Sequence, residues 1–150
     1  MKKQIITLVL LITVALTQTN FANPQEKITK DHPNYDQIED NLLVGINSEN
    51  FGLRVSSAYM LGELQSERAV NSLTKMLREE THEGAKLMAA LSLIKIGTER
   101  SIYVVKSSVK FNDSERVRKM CEHLYTAYIS KTHNLQNTDT KLLLSFFENN

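Results

Sequence analysis

The amino-acid sequence predicts an all-α fold in which about three helical hairpins, preceded by one leading helix, stack into a solenoid. The segment beginning at Gly52 aligns without a gap with the segment beginning at Gly84, at a spacing of 32 residues. Within each copy, apolar residues recur every three or four positions, as on one face of an α-helix. Because a single hairpin cannot bury both of its faces, such copies have to pack on one another.

The copies agree at small and apolar positions that a packed helix pair would bury. Ala58, Leu61 and Leu64 align with Ala90, Leu93 and Ile96. A third copy starts at the same spacing, and the residues that carry it are Arg118, Cys121, Tyr125 and Tyr128. The three copies also place basic residues in register, and these are Arg54, Lys86 and Arg118.

The elements follow from the apolar periodicity and from polar residues suited to helix ends. Ser66 and Thr98, each followed by a glutamate, are predicted to cap the second helix of a hairpin. Ser130–Asn137 is predicted to be a flexible loop, followed by a final helix whose apolar residues close the stack. The predicted helices cover about residues 35–46, 53–64, 67–79, 84–96, 99–110, 114–130 and 138–148.

The first 22 residues have the layout of a secretory signal peptide: a basic start, an apolar stretch from Ile5 to Leu16 and a short polar tail. As a helix, the apolar stretch would reach roughly 18 Å, against about 30 Å of bilayer hydrocarbon. The sequence therefore predicts a signal peptide over 1–22, a flexible linker over 23–34 and a repeat domain over 35–150. The protein is expected to be exported, either periplasmic or secreted. An uncleaved segment that tethers the domain to a membrane is the alternative.

The composition is that of a soluble globular domain, with 41% hydrophobic and 23% charged residues. Removal of residues 1–22 takes away two lysines and no acid, so 16 basic and 17 acidic residues remain. Such a near-neutral balance argues against a nucleic-acid partner. Cys121 is the only cysteine of the chain, so no intrachain disulfide can form.

The repeats resemble the HEAT-repeat family, in particular its short bacterial HEAT-like units. The likeness rests on Leu53-Arg54-x-x-Ser57-Ala58-x-x-Leu61-Gly62-x-Leu64, on Ala69-Val70-x-x-Leu73, and on Ala85-Lys86-x-x-Ala89-Ala90-x-x-Leu93-x-Lys95-Ile96-Gly97. The unit of 32 residues is shorter than the usual roughly 40–47. Glu122 stands where the earlier copies have alanine. Ankyrin and tetratricopeptide repeats have similar periods, but their signature residues are missing from this sequence.

The resemblance implies a right-handed α-solenoid and two sets of residues with distinct roles. In that family, an acid about five positions before the basic residue tends to form a ladder of ion pairs along the stack. The expected structural ladder is Arg54, Lys86, Arg118, Glu49 and Asp113. Second helices usually line the concave face, where a ligand can bind. By that analogy the possible partner-binding face is Asn71, Lys75, Arg78, Lys106 and Lys110.

No residue pattern in the sequence indicates catalysis. The four histidines form no pair with the spacing of a zinc site on one helix, and no phosphate loop, nucleophile elbow or dinucleotide fingerprint occurs. The acidic run before His82 is expected to be a solvated turn rather than a metal site. Cys121, in the column of Ser57 and Ala89, is expected to be a core residue. No catalytic residue, cofactor or metal is therefore expected.

The sequence thus predicts a non-catalytic interaction scaffold outside the cytoplasm, with a protein partner that it does not identify. Two alternatives remain open. Some bacterial HEAT-like proteins are chromophore lyases or act on DNA bases, so the resemblance also admits an enzyme. A membrane-tethered structural subunit, held by an uncleaved N-terminal segment, is the other alternative.

Overall fold

A computed structural model describes residues 28–148, with side-chain surroundings for residues 28–135. The predicted signal segment, residues 1–22, lies outside the described residues. Over the described range the chain forms α-helices and one 3₁₀ turn, Glu67–Ala69, and no strand. The helices are α1 (Tyr35–Gly45), α2 (Phe51–Glu63), α3 (Val70–Glu79), α4 (Glu83–Ile96), α5 (Glu99–Phe111) and α6 (Glu115–Glu148).

The helices pack consecutively as a helical solenoid, which confirms the predicted fold class. The first helices of the units, α2, α4 and α6, lie side by side in one layer. The second helices, α3 and α5, form the other layer and pack against the first helix of the following unit. The leading helix α1 packs on α2. Arg68, in the turn before α3, ties α1 to the stack through Glu39 and Asp40, at 2.8 and 2.7 Å.

One continuous core runs between the two layers. Leu61 and Leu93, at equivalent positions of α2 and α4, are fully buried, as are Leu73 and Leu77 of α3. Each such side chain contributes about 1.5–3 kcal/mol when it is removed from water. The alignment of the two copies therefore identified residues of the core correctly.

Small residues bring α2 and α4 into close contact. The Ser92 hydroxyl donates a buried hydrogen bond of 2.7 Å to the Ala58 carbonyl across this contact. At Gly62, an added Cβ would stand 2.8 Å from the Cα of Ser92. The absence of a side chain at Gly62 therefore allows the backbones of the two helices to approach each other.

The turns after α2 and α4 use the same backbone conformation. Gln65 and Gly97, which are 32 residues apart, have φ of +52° and +73° and end their helices in the left-handed region. The Thr98 hydroxyl then accepts a hydrogen bond from the Ser101 N–H, 3.3 Å away, and caps α5 as predicted. Ser66 does not cap α3: its buried hydroxyl has no hydrogen-bond partner among the described residues, and a 3₁₀ turn opens the helix instead.

The predicted loop over Ser130–Asn137 is wrong, because α6 continues through it as one helix of 34 residues. The position equivalent to Gln65 and Gly97 is Ile129. A β-branched side chain strongly disfavours the left-handed conformation that ends α2 and α4. The following residues contain no glycine or proline that would end the helix in another way. The predicted separate helix 138–148 is the end of α6, and its side chains lie outside those described.

No helix within residues 28–148 is both long enough and apolar enough to cross a membrane.

Candidate partner-binding surface

The basic residues in register occupy one row across the first helices. Arg54, Lys86 and Arg118 are each the fourth residue of α2, α4 and α6, respectively. Because these helices lie side by side in one layer, the three cations lie at the same height along the helix axes and form a row that crosses the stack. Their surroundings show whether this row is free to bind a ligand.

Arg54 is held by three hydrogen bonds within the protein. Its Nε donates to the Glu80 carboxylate at 2.9 Å, and its terminal nitrogen donates to the carbonyls of Ser48 and Glu49 at 3.0 and 2.9 Å. The carboxylate partner is therefore Glu80, which follows α3, whereas Glu49 contributes only its backbone carbonyl. This differs from the expected ladder, because the acid comes from the end of the unit and not from the turn before it.

Lys86 and Arg118 divide the two roles of Arg54 between them. The Lys86 ammonium pairs with the Asp113 carboxylate at 2.7 Å. Arg118 donates to the carbonyls of Asn112 and Asp113 at 2.7 and 3.2 Å, as Arg54 does in its own turn. Asp113 thus links two units, because its carboxylate binds Lys86 of α4 and its carbonyl binds Arg118 of α6. The basic row therefore ties together the turns between units, and each of its three side chains already has a partner within the protein.

The carboxyl groups that pair with the basic row, those of Glu80 and Asp113, have lowered pKa values. Burial acts to raise the pKa of Glu80, but hydrogen bonds from Arg54 and from the His82 and Thr81 N–H groups outweigh it and bring that pKa below its usual value. At Asp113 the hydrogen bond from Lys86 is the main cause of a lowered pKa. Both carboxylates are therefore ionised near neutral pH, as an ion-paired role requires.

The second-helix face is open to solvent. Along α3, Asn71, Lys75 and Arg78 are spaced by four and three residues, so they lie on one side of the helix, and all three are exposed. On α5, Lys106 and Lys110 are one turn apart and also exposed. The five residues of the predicted partner-binding face therefore all reach solvent, on two adjacent helices.

Two grooves border this face. Lys75 lines a groove of about 300 Å³ between α3 and the turn after α1. Arg78 lines a second groove, of about 520 Å³, with Ser107 and Phe111 of α5. Lys106 and Lys110 line neither groove, and the Lys106 ammonium stands 5.7 Å from the centre of the Tyr125 ring of α6. The five residues thus spread across α3 and α5 and do not converge on one pocket.

Two aromatic residues on this face were not predicted as site residues. Tyr103 is 68% exposed and Phe111 is 83% exposed, both on α5. Tyr103 aligns with Asn71 and Lys110 aligns with Arg78 at the spacing of 32. The alignment of the repeats could have identified Tyr103 from the sequence, because it places this residue on the polar side of α5 and not in the apolar stripe.

The repeated fold agrees with a comparison against known protein families. A family described as HEAT repeats matches residues 36–124 of the 150-residue chain. The chain belongs to the HEAT-repeat family. A search of curated proteins found no match for it. The family match ends before Ile129, where the helix of this HEAT-repeat protein runs on instead of turning.

The continuing helix of the HEAT-repeat stack creates a further concavity. A groove of about 610 Å³ lies between α6 and the C-terminal ends of α2 and α4. Leu124, Tyr128 and Leu135 of α6 form one wall, and Ile94 and Gly97 belong to the other. Nothing in the described structure indicates what would fill this groove, so the second-helix face is the better-supported candidate site.

The groups with potential chemistry are separated from one another in this HEAT-repeat domain. Cys121 is fully buried, and desolvation raises the pKa of its thiol to about 11. A thiol with that pKa is almost wholly protonated near neutral pH and is a poor nucleophile. Among the residues that the structure describes, no three His, Cys, Asp or Glu side chains are grouped as a metal site would need. His82 contacts the Phe51 ring edge-on at 4.8 Å.

Proposed function

We propose that this HEAT-repeat protein is a non-catalytic interaction module that acts outside the cytoplasm and binds a protein partner on the exposed face of α3 and α5. The observation that carries the proposal is the contrast between the layers. The basic row of the first helices forms hydrogen bonds within the stack, whereas Asn71, Lys75, Arg78, Lys106 and Lys110 are exposed. A surface of this kind on a rigid scaffold is available for binding without any change of fold.

Site-specific photo-crosslinking tests the binding face. A photoreactive amino acid at Asn71, on α3, should yield a discrete crosslinked partner in the native cell. The same group at Ser56, which is exposed on α2, is the matched control and should not. Equal products from both positions, or none from either, would show that this face is not the binding surface.

Export is supported by the sequence of residues 1–22, with its basic start and short apolar stretch. Mass spectrometry of the N-terminus of the protein from its own cells, together with cell fractionation, tests it. We expect a processed N-terminus near Asn23 and recovery outside the cytoplasm. An intact N-terminus in a membrane fraction would support the alternative of a membrane-tethered subunit. An intact N-terminus in the cytosol would support the alternative of an enzyme of the HEAT-like lyase type.

A further inference from the structure

The positive charges on the second-helix face are not neutralised within the described part of the chain. Lys75, Arg78, Lys106 and Lys110 form no ion pair among residues 28–135. Elsewhere, basic side chains of the stack do pair with carboxylates, for example Lys95 with Glu63 and Lys119 with Glu115. Arg100 and Lys131 are also exposed without an ion pair among the described residues, so what distinguishes this face is that four unpaired cations stand on two adjacent helices.

The helix macrodipole accounts for only half of these cations. Arg78 and Lys110 lie in the last turns of α3 and α5, where a positive charge stabilises the helix by about 0.3–1 kcal/mol. Lys75 and Lys106 lie before the last turn, where that effect has faded. The acids Glu67 and Glu99 stand at the beginnings of the second helices, away from these cations. Glu79 lies one turn after Lys75 and is exposed, but it forms no ion pair with these cations, so one acid stands against four cations along this part of the face.

Exposed apolar surface accompanies the cations. Phe111 is the most exposed of the large apolar side chains that the structure describes, and it lines the 520 Å³ groove with Arg78. Tyr103 is exposed on the same helix. Aromatic and arginine side chains together are characteristic of the residues that dominate protein–protein binding. The face therefore offers both a charge to neutralise and an apolar edge to cover.

From this charge pattern we infer that the partner is an acidic polypeptide segment with apolar side chains among its carboxylates. The inference rests on the proposed function, because it names the chemistry of the partner that the same face would bind. Arg78 and Lys110 occupy equivalent positions on neighbouring helices, whose axes are typically about 8–10 Å apart. An extended segment rises about 3.3 Å per residue. Carboxylates about three residues apart can therefore meet both cations as the segment crosses from α3 to α5.

The groove beside Arg78 takes the apolar side chain of such a segment. Ser107 and Phe111 line it beside Arg78, so an aliphatic or aromatic residue between the carboxylates would cover the exposed Phe111 ring. Asp113 also lines this groove, but its carboxylate is already paired with Lys86. Lys75 and Lys106 extend the positive field beyond the groove on either side. Charge complementarity of this kind mainly sets the partner choice and the association rate, and both weaken with added salt.

Selection from a phage-displayed library of random peptides, with the full chain as bait, tests the inference. Enriched peptides should contain several Asp or Glu residues together with Leu, Phe or Tyr. Their dissociation constants, measured by fluorescence anisotropy, should rise about tenfold between about 50 and 300 mM salt. The double variant Arg78→Glu/Lys110→Glu should weaken binding by at least about tenfold.

A matched charge reversal on α6 provides the control. Lys119→Glu/Lys131→Glu changes the net charge equally and lies off the face, so we expect it to alter affinity by less than about twofold. Circular dichroism should show that both double variants remain folded. An effect of equal size from the two double variants would overturn the inference, because binding would then depend on net charge alone.

Three further results would overturn the inference. They are the enrichment of neutral or basic peptides, no enrichment over a bait-free selection, and equal competition by a DNA duplex, which would indicate a general polyanion site. None of these results decides the proposed function, which is judged separately by the crosslink at Asn71. If Asn71 crosslinks to a partner but the affinity of the selected peptides is unchanged by Arg78→Glu/Lys110→Glu, the protein is still an interaction module, and the inference that its partner is acidic is wrong.

Discussion

Gly62 controls how closely the first two units approach. Its Cα faces the backbone of Ser92, and a methyl group there would meet the Ser92 Cα at 2.8 Å, a distance that real Cβ atoms do not show. We expect Gly62→Ala to lower the free energy of unfolding by about 1–3 kcal/mol, because α2 and α4 must separate to admit the methyl group. Chemical denaturation measures this change.

Gly84→Ala is the matched control for Gly62→Ala. A Cβ at Gly84, in the first turn of α4, meets no atom within 4 Å. Since alanine favours the helix over glycine, we expect Gly84→Ala to be neutral or to stabilise the protein by up to about 1 kcal/mol. Equal destabilisation by both substitutions would contradict the close contact of α2 with α4.

The stability of the first unit depends on pH through Glu80. Its pKa is lowered in the folded protein, so its contribution to stability is present above the pKa of the unfolded chain and is lost as the pH falls through the folded value. We expect Glu80→Gln to cost about 1 kcal/mol at neutral pH, because Arg54 loses a charged partner. The difference from the unsubstituted protein should shrink as the pH falls through the lowered pKa of Glu80, because the native carboxylate then also becomes neutral.

Denaturation at several pH values measures this difference, with Glu79→Gln as the control. Glu79 is exposed and carries the same charge one residue away. We expect Glu79→Gln to change stability by less than about 0.5 kcal/mol at any pH. A constant deficit for Glu80→Gln down to acidic pH would show that the loss is not electrostatic.

The sequence predicted the side chains that repeat and missed those that do not. Ala58, Leu61 and their equivalents Ala90 and Leu93 were correctly identified as core, because burial imposes the same small or apolar residue in the first two units. Glu80 was missed as the partner of Arg54, because it lies 26 residues away and its counterpart at the next repeat is Asn112. A pairing between distant turns leaves no periodic signal, so only the folded chain shows it.

The same limit applies to the candidate face. The exposure of Lys75 and Arg78 follows from the helical periodicity of α3, since the opposite side carries Val70, Leu73 and Leu77. The exposure of Phe111 does not follow from the helical periodicity, because an apolar residue at the end of a helix is buried in some folds and exposed in others. Its exposure depends on how α5 lies relative to α3.

At the scale of elements, the end of each first helix depends on one backbone position. Gln65 and Gly97 adopt the left-handed conformation and let the chain reverse, whereas Ile129 continues the helix. The sequence analysis placed a loop after this point because Ser130–Asn137 is polar. Polarity alone does not end a helix, and without a glycine, a proline or a left-handed residue the backbone hydrogen bonds continue.

Ile129→Gly tests this explanation. Glycine removes the barrier to the left-handed conformation and costs about 1 kcal/mol in the interior of a helix. We expect hydrogen exchange to quicken for the amides of residues 130–134 in Ile129→Gly, with little change in Ile129→Ala. Equal exchange in the two variants would show that the side chain at this position does not decide the continuity of α6.

At the scale of the whole molecule, each unit is held mainly by its neighbours, so stability should vary along the stack. The unit of α4 and α5 is covered on both sides. The third unit begins with α6, which runs to Glu148 without folding back, so the described residues include no second helix for it. Tyr125 on α6 is partly exposed to solvent and Glu122 is exposed. The third unit should therefore open locally before the whole chain unfolds.

The single native cysteine makes this gradient measurable. Cys121 of α6 and Ala89 of α4 stand at equivalent positions and are both fully buried. The double substitution Ala89→Cys/Cys121→Ser moves the single thiol from α6 to α4. We expect a thiol reagent to label native Cys121 faster than the thiol on α4, because undocking of α6 is sufficient to expose Cys121. The labelling rate of Cys121 should also rise less steeply with urea, since partial opening exposes less surface than global unfolding. Identical rates and identical urea slopes at the two positions would show instead that the stack opens as a single cooperative unit.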